Sequence, residues 1–169
     1  MAVTCNVSLA LKIAGILANS VDIGEVPYPV AYGPTYVLTD GVGANQAKEM
    51  FTDIRTLAAS ATEDLDLAGG LNDVFGNAIL FTKIKALIVV ADAGNVNDVL
   101  VGGAAANQFA TPWGAATHSN KVKPGGMLCF VAPDANGYAV TAGTGDLLKV
   151  ANSAGGTAVS YTIILVGTV

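Results

Sequence analysis

The feature that most constrains this chain is a two-residue hydrophobic period, which recurs in short segments bounded by Gly, Asn, Asp or Pro. Apolar side chains at every second position line one face of a β-strand, whereas a helix repeats them every three or four residues. The clearest segments are NDVLVGG, GYAVTAG, DLLKVANS and AVSYTIILVGTV. Short strands separated by such turns are typical of sandwiches and jelly rolls. The sequence therefore predicts a mainly all-β chain with a β-sandwich or jelly-roll-like domain.

The segment NAILFTKIKALIVVADAGN predicts the longest strand. Lys83 and Lys85 precede Leu87 on one of its faces, so we expect one end to be half exposed and the other to be covered on both sides. These lysines would form a basic stripe with Lys121 and Lys123 only if their strands pair, and a solvated strand face is the alternative.

The stretch KVKPGGMLCFVAPD, from Lys121 to Asp134, places a Pro-Gly-Gly turn before an apolar run. The run is too short for a helix, and the turn residues interrupt the backbone ladder. We expect a hairpin-like unit whose second strand is buried on both faces.

Residues 1–45 are predicted to form an N-terminal strand and an extended proline-rich arm, and residues 46–169 to form the β-domain. Cys5, Val7, Leu9, Leu11 and Ile13 alternate with polar or small residues, which predicts a single half-buried strand.

The segment DIGEVPYPVAYGPTY contains too many prolines and glycines for a helix or a central strand. Its tyrosines distinguish it from a flexible polar linker, so we expect it to lie against its own domain, a second copy or a partner. The candidate partner-binding residues of this arm are Pro27, Tyr28, Pro29, Tyr32, Pro34 and Tyr36.

One segment, ANQAKEMFTDIRTLAA, is ambiguous. Ala47, Met50, Ile54 and Leu57 have approximately helical spacing, which makes it the only plausible helix of the chain, but its residues from Phe51 onward also alternate as in a strand.

The amino-acid composition indicates whether the chain assembles with other chains more clearly than it indicates the fold. Charged residues make up 12% of the chain and apolar residues 52%, which leaves little charge to cover the surface of a monomer. Because obligate interfaces are depleted in charge, we expect a homo-oligomer or a place in a larger assembly. The net charge of -5 argues against nucleic-acid binding, and no apolar run approaches the roughly 18 residues of a membrane-spanning helix.

The N-terminal residues predict no cleaved secretion signal, because a basic start is absent and Lys12 interrupts the apolar stretch. We therefore expect intracellular synthesis. Cys5 and Cys129 both lie within apolar strands, and we expect them to be buried free thiols.

The residues suited to catalysis are few. The single histidine, His118, has no motif around it that would supply a base, a zinc site or a nucleophile. The run Asp92 to Asp98 lacks the ordered acidic positions of a calcium loop, and Asp64 and Asp66 are expected on one solvated strand face. We predict no enzymatic activity, no cofactor and no metal.

An aromatic loop, QFATPWGAAT, carries Phe109 and the only tryptophan, Trp113. Tryptophan is enriched at interface hot spots, which makes both residues candidates for partner binding. The alternative is that the loop closes over the core.

Two stretches together resemble a known family. LFTKIKALIVVADAGNVNDVLVGGAAANQF and KVKPGGMLCFVAPDANGYAVTAGTGDLLKVANSAGGTAVSYTIILVGT look like small structural proteins of tailed bacteriophage virions. The resemblance covers roughly residues 52–169, and its motifs are turns and core strands.

The resemblance implies a capsid decoration or cement protein that is synthesised in the host cytoplasm and binds the major capsid protein on the virion surface. It also implies a homotrimer, in the manner of proteins at lattice three-fold positions. The alternative is a receptor- or glycan-binding β-module of a head or tail fibre, for which exposed aromatic residues such as Tyr28, Trp113 or Tyr138 would be needed. A hydrolase on a jelly-roll scaffold is a third possibility.

Overall fold

The computed structural model describes residues 4–169, and its regular structure is all β. Five strands lie in the N-terminal part: β1 (Val7–Ala10), β2 (Ile13–Val21), β3 (Gly24–Tyr32), β4 (Thr35–Asp40) and β5 (Gln46–Ala47). The remaining strands are β6 (Glu49–Leu57), β7 (Thr62–Asp66), β8 (Ala68–Asn72), β9 (Ala78–Leu80), β10 (Lys83–Ala91), β11 (Val99–Gly102), β12 (Ser119–Val122), β13 (Met127–Val131), β14 (Tyr138–Ala139), β15 (Leu147–Asn152) and β16 (Val159–Thr168).

Two antiparallel sheets form the body of the molecule. One has the order β13-β10-β16-β6, with β14 beside β13 on the same edge of β10, and the other has the order β12-β11-β15-β7. Alternate residues of both sheets meet in one hydrophobic core, for example Leu87 and Ile163 from the first sheet and Val101 and Leu148 from the second. This sandwich-like architecture confirms the all-β prediction. A short hairpin of β8 and β9 accompanies the two sheets.

A small N-terminal sheet adds a third layer over part of the sandwich. It has the order β1-β4-β5, and its Cys5, Leu38 and Ala47 pack on Ala86 and Val166, which lie on the outer face of β10 and β16. The outer face of this strand pair is therefore also buried, which accounts for the nearly continuous apolar sequence of both strands.

The helix considered for residues 44–59 does not form. Those residues instead contribute β6, which pairs with β16 over nine residues, from Glu49 opposite Gly167 to Leu57 opposite Val159. Phe51 and Leu57 point into the core. Long-range pairing along a complete neighbouring strand outweighs weak helical spacing.

The predicted single N-terminal strand is also wrong in its extent. β1 ends at Ala10, and the chain leaves the body before β2 begins at Ile13. Cys5 is buried and Leu9 is half-buried against the sandwich, whereas Leu11 and Ile13 are exposed. The apolar alternation of the sequence therefore continues to Leu11 and Ile13, although the body of the molecule does not cover these two side chains.

The prediction of a hairpin across the Pro-Gly-Gly turn is wrong, because the chain passes from one sheet to the other at this turn. β12 pairs with β11 in one sheet, and β13 pairs with β10 in the other. β13 is also covered on one face only, because Met127 and Cys129 are exposed. Both cysteines are free thiols, as expected, but only Cys5 is buried.

Candidate functional site

The most unusual surface of the molecule is the hairpin of β2 and β3, residues 13–32. Its strands pair over nine residues, from Ile13 opposite Tyr32 to Val21 opposite Gly24, and only Asp22 and Ile23 lie between them. Every residue of both strands is exposed. The prediction of an extended arm therefore needs a correction: the proline-rich segment is one strand of a hairpin.

One face of this hairpin is apolar. Opposite residues of an antiparallel pair share a face, so Leu17 lies beside Tyr28, and Ile13 beside Tyr32. Leu17 is 74% exposed and Tyr28 is 68% exposed. We call this surface the apolar hairpin face, and its members are Ile13, Leu17, Val21, Val26, Tyr28, Val30 and Tyr32.

The hairpin is joined to the body at a narrow base. The Leu11 amide donates to the Pro34 carbonyl at 3.1 Å, which brings the two chain ends of the hairpin together. Pro34 and Tyr36 are half-buried there. Tyr36 also lines an open apolar groove together with Ile88 and Met127, between the small sheet and β13.

The six arm residues predicted for partner binding thus divide into two groups. Pro27, Tyr28, Pro29 and Tyr32 lie in the exposed hairpin, and Pro34 and Tyr36 lie at its base. Within the hairpin, Tyr28 and Tyr32 share the apolar hairpin face, whereas Pro27 and Pro29 lie on the opposite face.

The aromatic loop closes over the core. Phe109 is 2% exposed and lies inside the core, so its ring is not available to a partner. The half-buried Trp113 contacts Phe109 and Phe130 edge to face, and its Nε1–H donates to Asn120 Oδ1. A side chain held by core contacts stabilises the fold, and this favours the alternative that the loop is a cover.

The expectation of a solvated strand face at Lys83 and Lys85 needs a correction, because Lys85 is fully buried. A β-bulge between Ile84 and Ala86 shifts the register of β10 and interrupts the alternation of its two faces at this residue. The Lys85 ammonium donates to the carbonyl oxygens of Gly43 and Asp134. Lys85 thereby connects the turn that follows β4 to the loop that follows β13, and burial lowers its pKa.

The other lysines of that predicted stripe are also accounted for. Lys83 donates to the Ala135 carbonyl at 3.0 Å, and Lys123 and Lys121 lie 3.0 and 3.7 Å from the carboxylate of Asp98. The strands that carry these pairs, β10 and β12, belong to different sheets. A continuous basic surface is not formed.

A polar network closes one side of the sandwich, where β6 and β7 are the edge strands. Tyr161 donates to Glu63 Oε1 at 2.5 Å, and Arg55 donates to Glu63 Oε2 at 2.6 and 2.8 Å. Burial, followed by the hydrogen bond to Glu63, raises the pKa of Tyr161 far above its usual value. Tyr161 is thus held protonated as a donor. Sequence reasoning missed this network, because its members are dispersed over three strands.

The remaining candidates for chemistry do not converge. His118 is exposed in its loop, Asp64 is exposed on β7, and the side chain of Asp92 accepts the Gly94 amide within a turn. Over residues 4–169, no group of three or more His, Cys, Asp or Glu side chains is arranged to hold a metal ion. Those residues also include no helix that is long and apolar enough to cross a membrane.

Comparisons with protein-family models, with curated proteins and with solved structures find no match to this chain.

Proposed function

We propose that the chain is a non-enzymatic structural protein of a tailed-bacteriophage virion, a decoration or cement protein that binds the major capsid protein on the head surface and stabilises the mature lattice. The observation that carries the proposal is the β2–β3 hairpin, which extends an apolar surface away from a well-packed sandwich.

The hairpin is suited to insertion into an assembly. Two-stranded hairpins are at best marginally stable in water unless a further strand or surface covers them. Between Ile13 and Tyr32 the only charged residues are Asp22 and Glu25, so burial of this segment removes little charge from water. Full burial of a side chain such as Leu17 contributes on the order of 2 kcal/mol.

A cement function needs attachment and rigidity, and the molecule supplies them in separate parts. The sandwich has a large buried core, which makes it rigid. The hairpin has exposed apolar side chains, which provide a contact surface. A protein that binds only the mature lattice stabilises that lattice by a free energy that rises with the logarithm of its free concentration once that concentration exceeds its Kd.

The test is an exchange of the hairpin for a short turn. Because Leu11 and Pro34 are hydrogen-bonded at the base, Lys12 can be connected to Gly33 through two glycines without disturbing β1 or β4. We expect this variant to keep its β circular-dichroism spectrum and to lose occupancy on purified heads, as seen by cryo-electron microscopy.

A matched control changes a second exposed apolar tip. Val74 and Phe75 protrude from the β8–β9 turn, and their replacement by serine should leave head occupancy unchanged. Full occupancy by the hairpin-less protein would refute attachment through the hairpin. Absence of the intact protein from purified heads would refute the decoration function itself.

The glycan- or receptor-binding alternative has one observation in its favour, the exposed rings of Tyr28 and Tyr32. Sugar sites combine such rings with convergent polar side chains. Apart from Asn19, the side chains on this face, such as Ile13, Leu17 and Val30, are apolar, which suits a protein surface better than a sugar.

A further inference from the structure

The two free edges of the β2–β3 hairpin are not equivalent. β3 carries Pro27 and Pro29, which have no N–H to donate to an added strand. β2 contains neither proline nor a charged residue from Ile13 to Val21. Long, uncharged and proline-free edges are templates for pairing with another chain. Only the β2 edge of the hairpin is therefore open to a further strand.

We propose that the β2 edge pairs antiparallel with the β2 edge of a second copy of this chain, so that two hairpins form one four-stranded sheet. The proposal builds on the function proposed above, because it uses the same hairpin, but it concerns the edge of β2 and leaves the apolar hairpin face for the particle.

The prolines determine which backbone groups are free. Residues opposite each other in an antiparallel pair alternate between hydrogen-bonded and non-hydrogen-bonded pairs. Pro27 is opposite Ala18, and Pro29 is opposite Ile16; lacking N–H groups, both prolines suit only non-hydrogen-bonded pairs. The backbone N–H and C=O groups of every even-numbered residue in β2 therefore point away from β3, toward the free edge.

These free groups match a two-fold register centred on Leu17. In that register Ala14 lies opposite the partner's Ser20, and Ile16 lies opposite the partner's Ala18. Such pairs exchange two backbone hydrogen bonds each, so the symmetric contact forms about eight. A typical protein interface has about ten hydrogen bonds.

Charge complementarity selects the same register. Lys12 and Asp22 flank β2, and a two-fold centred on Leu17 places Lys12 opposite the partner's Asp22 at both ends of the contact. A shift of two residues in either direction separates these charges and puts Ile13 or Leu17 opposite the partner's Asn19. Opposite charges across a strand pair are favourable, and apolar-amide pairs lose that packing.

The resulting sheet is closed to further growth. Both of its outer edges are β3 strands, which Pro27 and Pro29 block, so the pairing ends at two copies. The contact is isologous, in contrast to the three-fold symmetry that the resemblance implies. Two apolar hairpin faces then form one continuous surface on the same side of the sheet.

The register can be tested by cross-linking. Leu17 lies opposite itself in a non-hydrogen-bonded pair, where Cα atoms are about 4.5 Å apart and a disulfide can form. In a Cys129→Ser background, which removes the exposed native thiol, Leu17→Cys should form covalent dimers under mild oxidation. Ala18→Cys is the matched control, because Ala18 faces the partner's Ile16 and should cross-link at least about 10-fold more slowly.

A charge exchange provides the second test, read by sedimentation of the isolated protein. Lys12→Asp and Asp22→Lys should each reduce dimer formation, and the double variant should restore it. Equal cross-linking of the Leu17→Cys and Ala18→Cys variants, or a trimer without the 17–17 link, would overturn the proposal. A protein that cross-links at residue 17 but does not occupy heads would refute only the proposed function.

Discussion

The β2–β3 and β10–β16 strand pairs are of similar length, yet they have opposite environments. β10 and β16 pair over eight residues and are almost wholly buried, while β2 and β3 pair over nine residues that are all exposed. Both pairs are rich in apolar side chains. The difference shows that hydrophobic sequence alone does not say which molecule will cover a strand.

The two pairs also differ in what surrounds them. β10 and β16 are covered on one face by the second sheet and on the other by the small N-terminal sheet. The hairpin leaves the body at its base and has no layer on either face. We infer that burial of the hairpin, unlike that of the core, depends on other chains.

The largest expected effect contrasts one leucine from each pair. Leu87→Ala should lower the free energy of unfolding by about 2–5 kcal/mol, because Leu87 is fully buried in the core. Leu17→Ala should change it by less than about 0.5 kcal/mol in dilute solution, since that side chain is exposed. Urea unfolding of both variants measures the difference. Equal losses would mean that the hairpin is already covered in the isolated protein.

A smaller effect is expected where the small N-terminal sheet, which carries the hairpin, packs on the sandwich. Lys85→Met keeps the length of the buried side chain and removes its hydrogen bonds to the Gly43 and Asp134 carbonyls. Hydrogen exchange of the Thr39 and Gly41 amides, which pair across the 41–45 turn, should become roughly 10-fold faster, equivalent to about 1.4 kcal/mol.

The control for this prediction is Lys83→Met on the same strand. Lys83 is only half-buried and donates to one carbonyl, that of Ala135. Its replacement should leave exchange in the 41–45 turn unchanged. If the two variants are alike, Lys85 does not hold the small sheet to the sandwich.

The smallest effect concerns the side of the sandwich closed by the polar network. Tyr161→Phe should cost about 1 kcal/mol at pH 7 through loss of the hydrogen bond to Glu63, with no change in attachment by the hairpin. The folded state raises the pKa of Tyr161, so the unfolded chain releases the proton first, above about pH 10. The stabilising contribution is therefore complete below pH 10 and declines above it.

Unfolding of the wild type and of Tyr161→Phe at pH 7 and at pH 10.5 measures this dependence. The difference between them should shrink at the higher pH. A constant difference would mean that the pKa of Tyr161 is the same in the folded and the unfolded state.

The fold class was predictable because the signal is local. Alternation in DLLKVANS and AVSYTIILVGTV indicates strands wherever they pair, and Leu148 and Ile163 are buried as that pattern requires.

Pairing and side-chain direction were not predictable, because they depend on distant residues. The Pro-Gly-Gly turn gives no indication that β12 and β13 enter different sheets. A bulge at Lys85 interrupts the alternation of β10, and two distant segments, at Gly43 and Asp134, accept hydrogen bonds from its buried ammonium. Of the candidate site, the composition of the proline-tyrosine segment was informative. Its partner strand β2 was not predicted, because the alternation interpreted as one N-terminal strand ends at Ile13, where β2 begins.

The narrow base of the hairpin has a consequence for how this protein can diversify. Because the Leu11 and Pro34 ends meet at one hydrogen bond, residues can be added to or removed from both strands without altering the body. Each two-residue step per strand changes the reach of the hairpin by about 7 Å and keeps the same side chains on the same face. Under the proposed function, such changes in length would match the hairpin to lattices of different spacing while the sandwich stays the same.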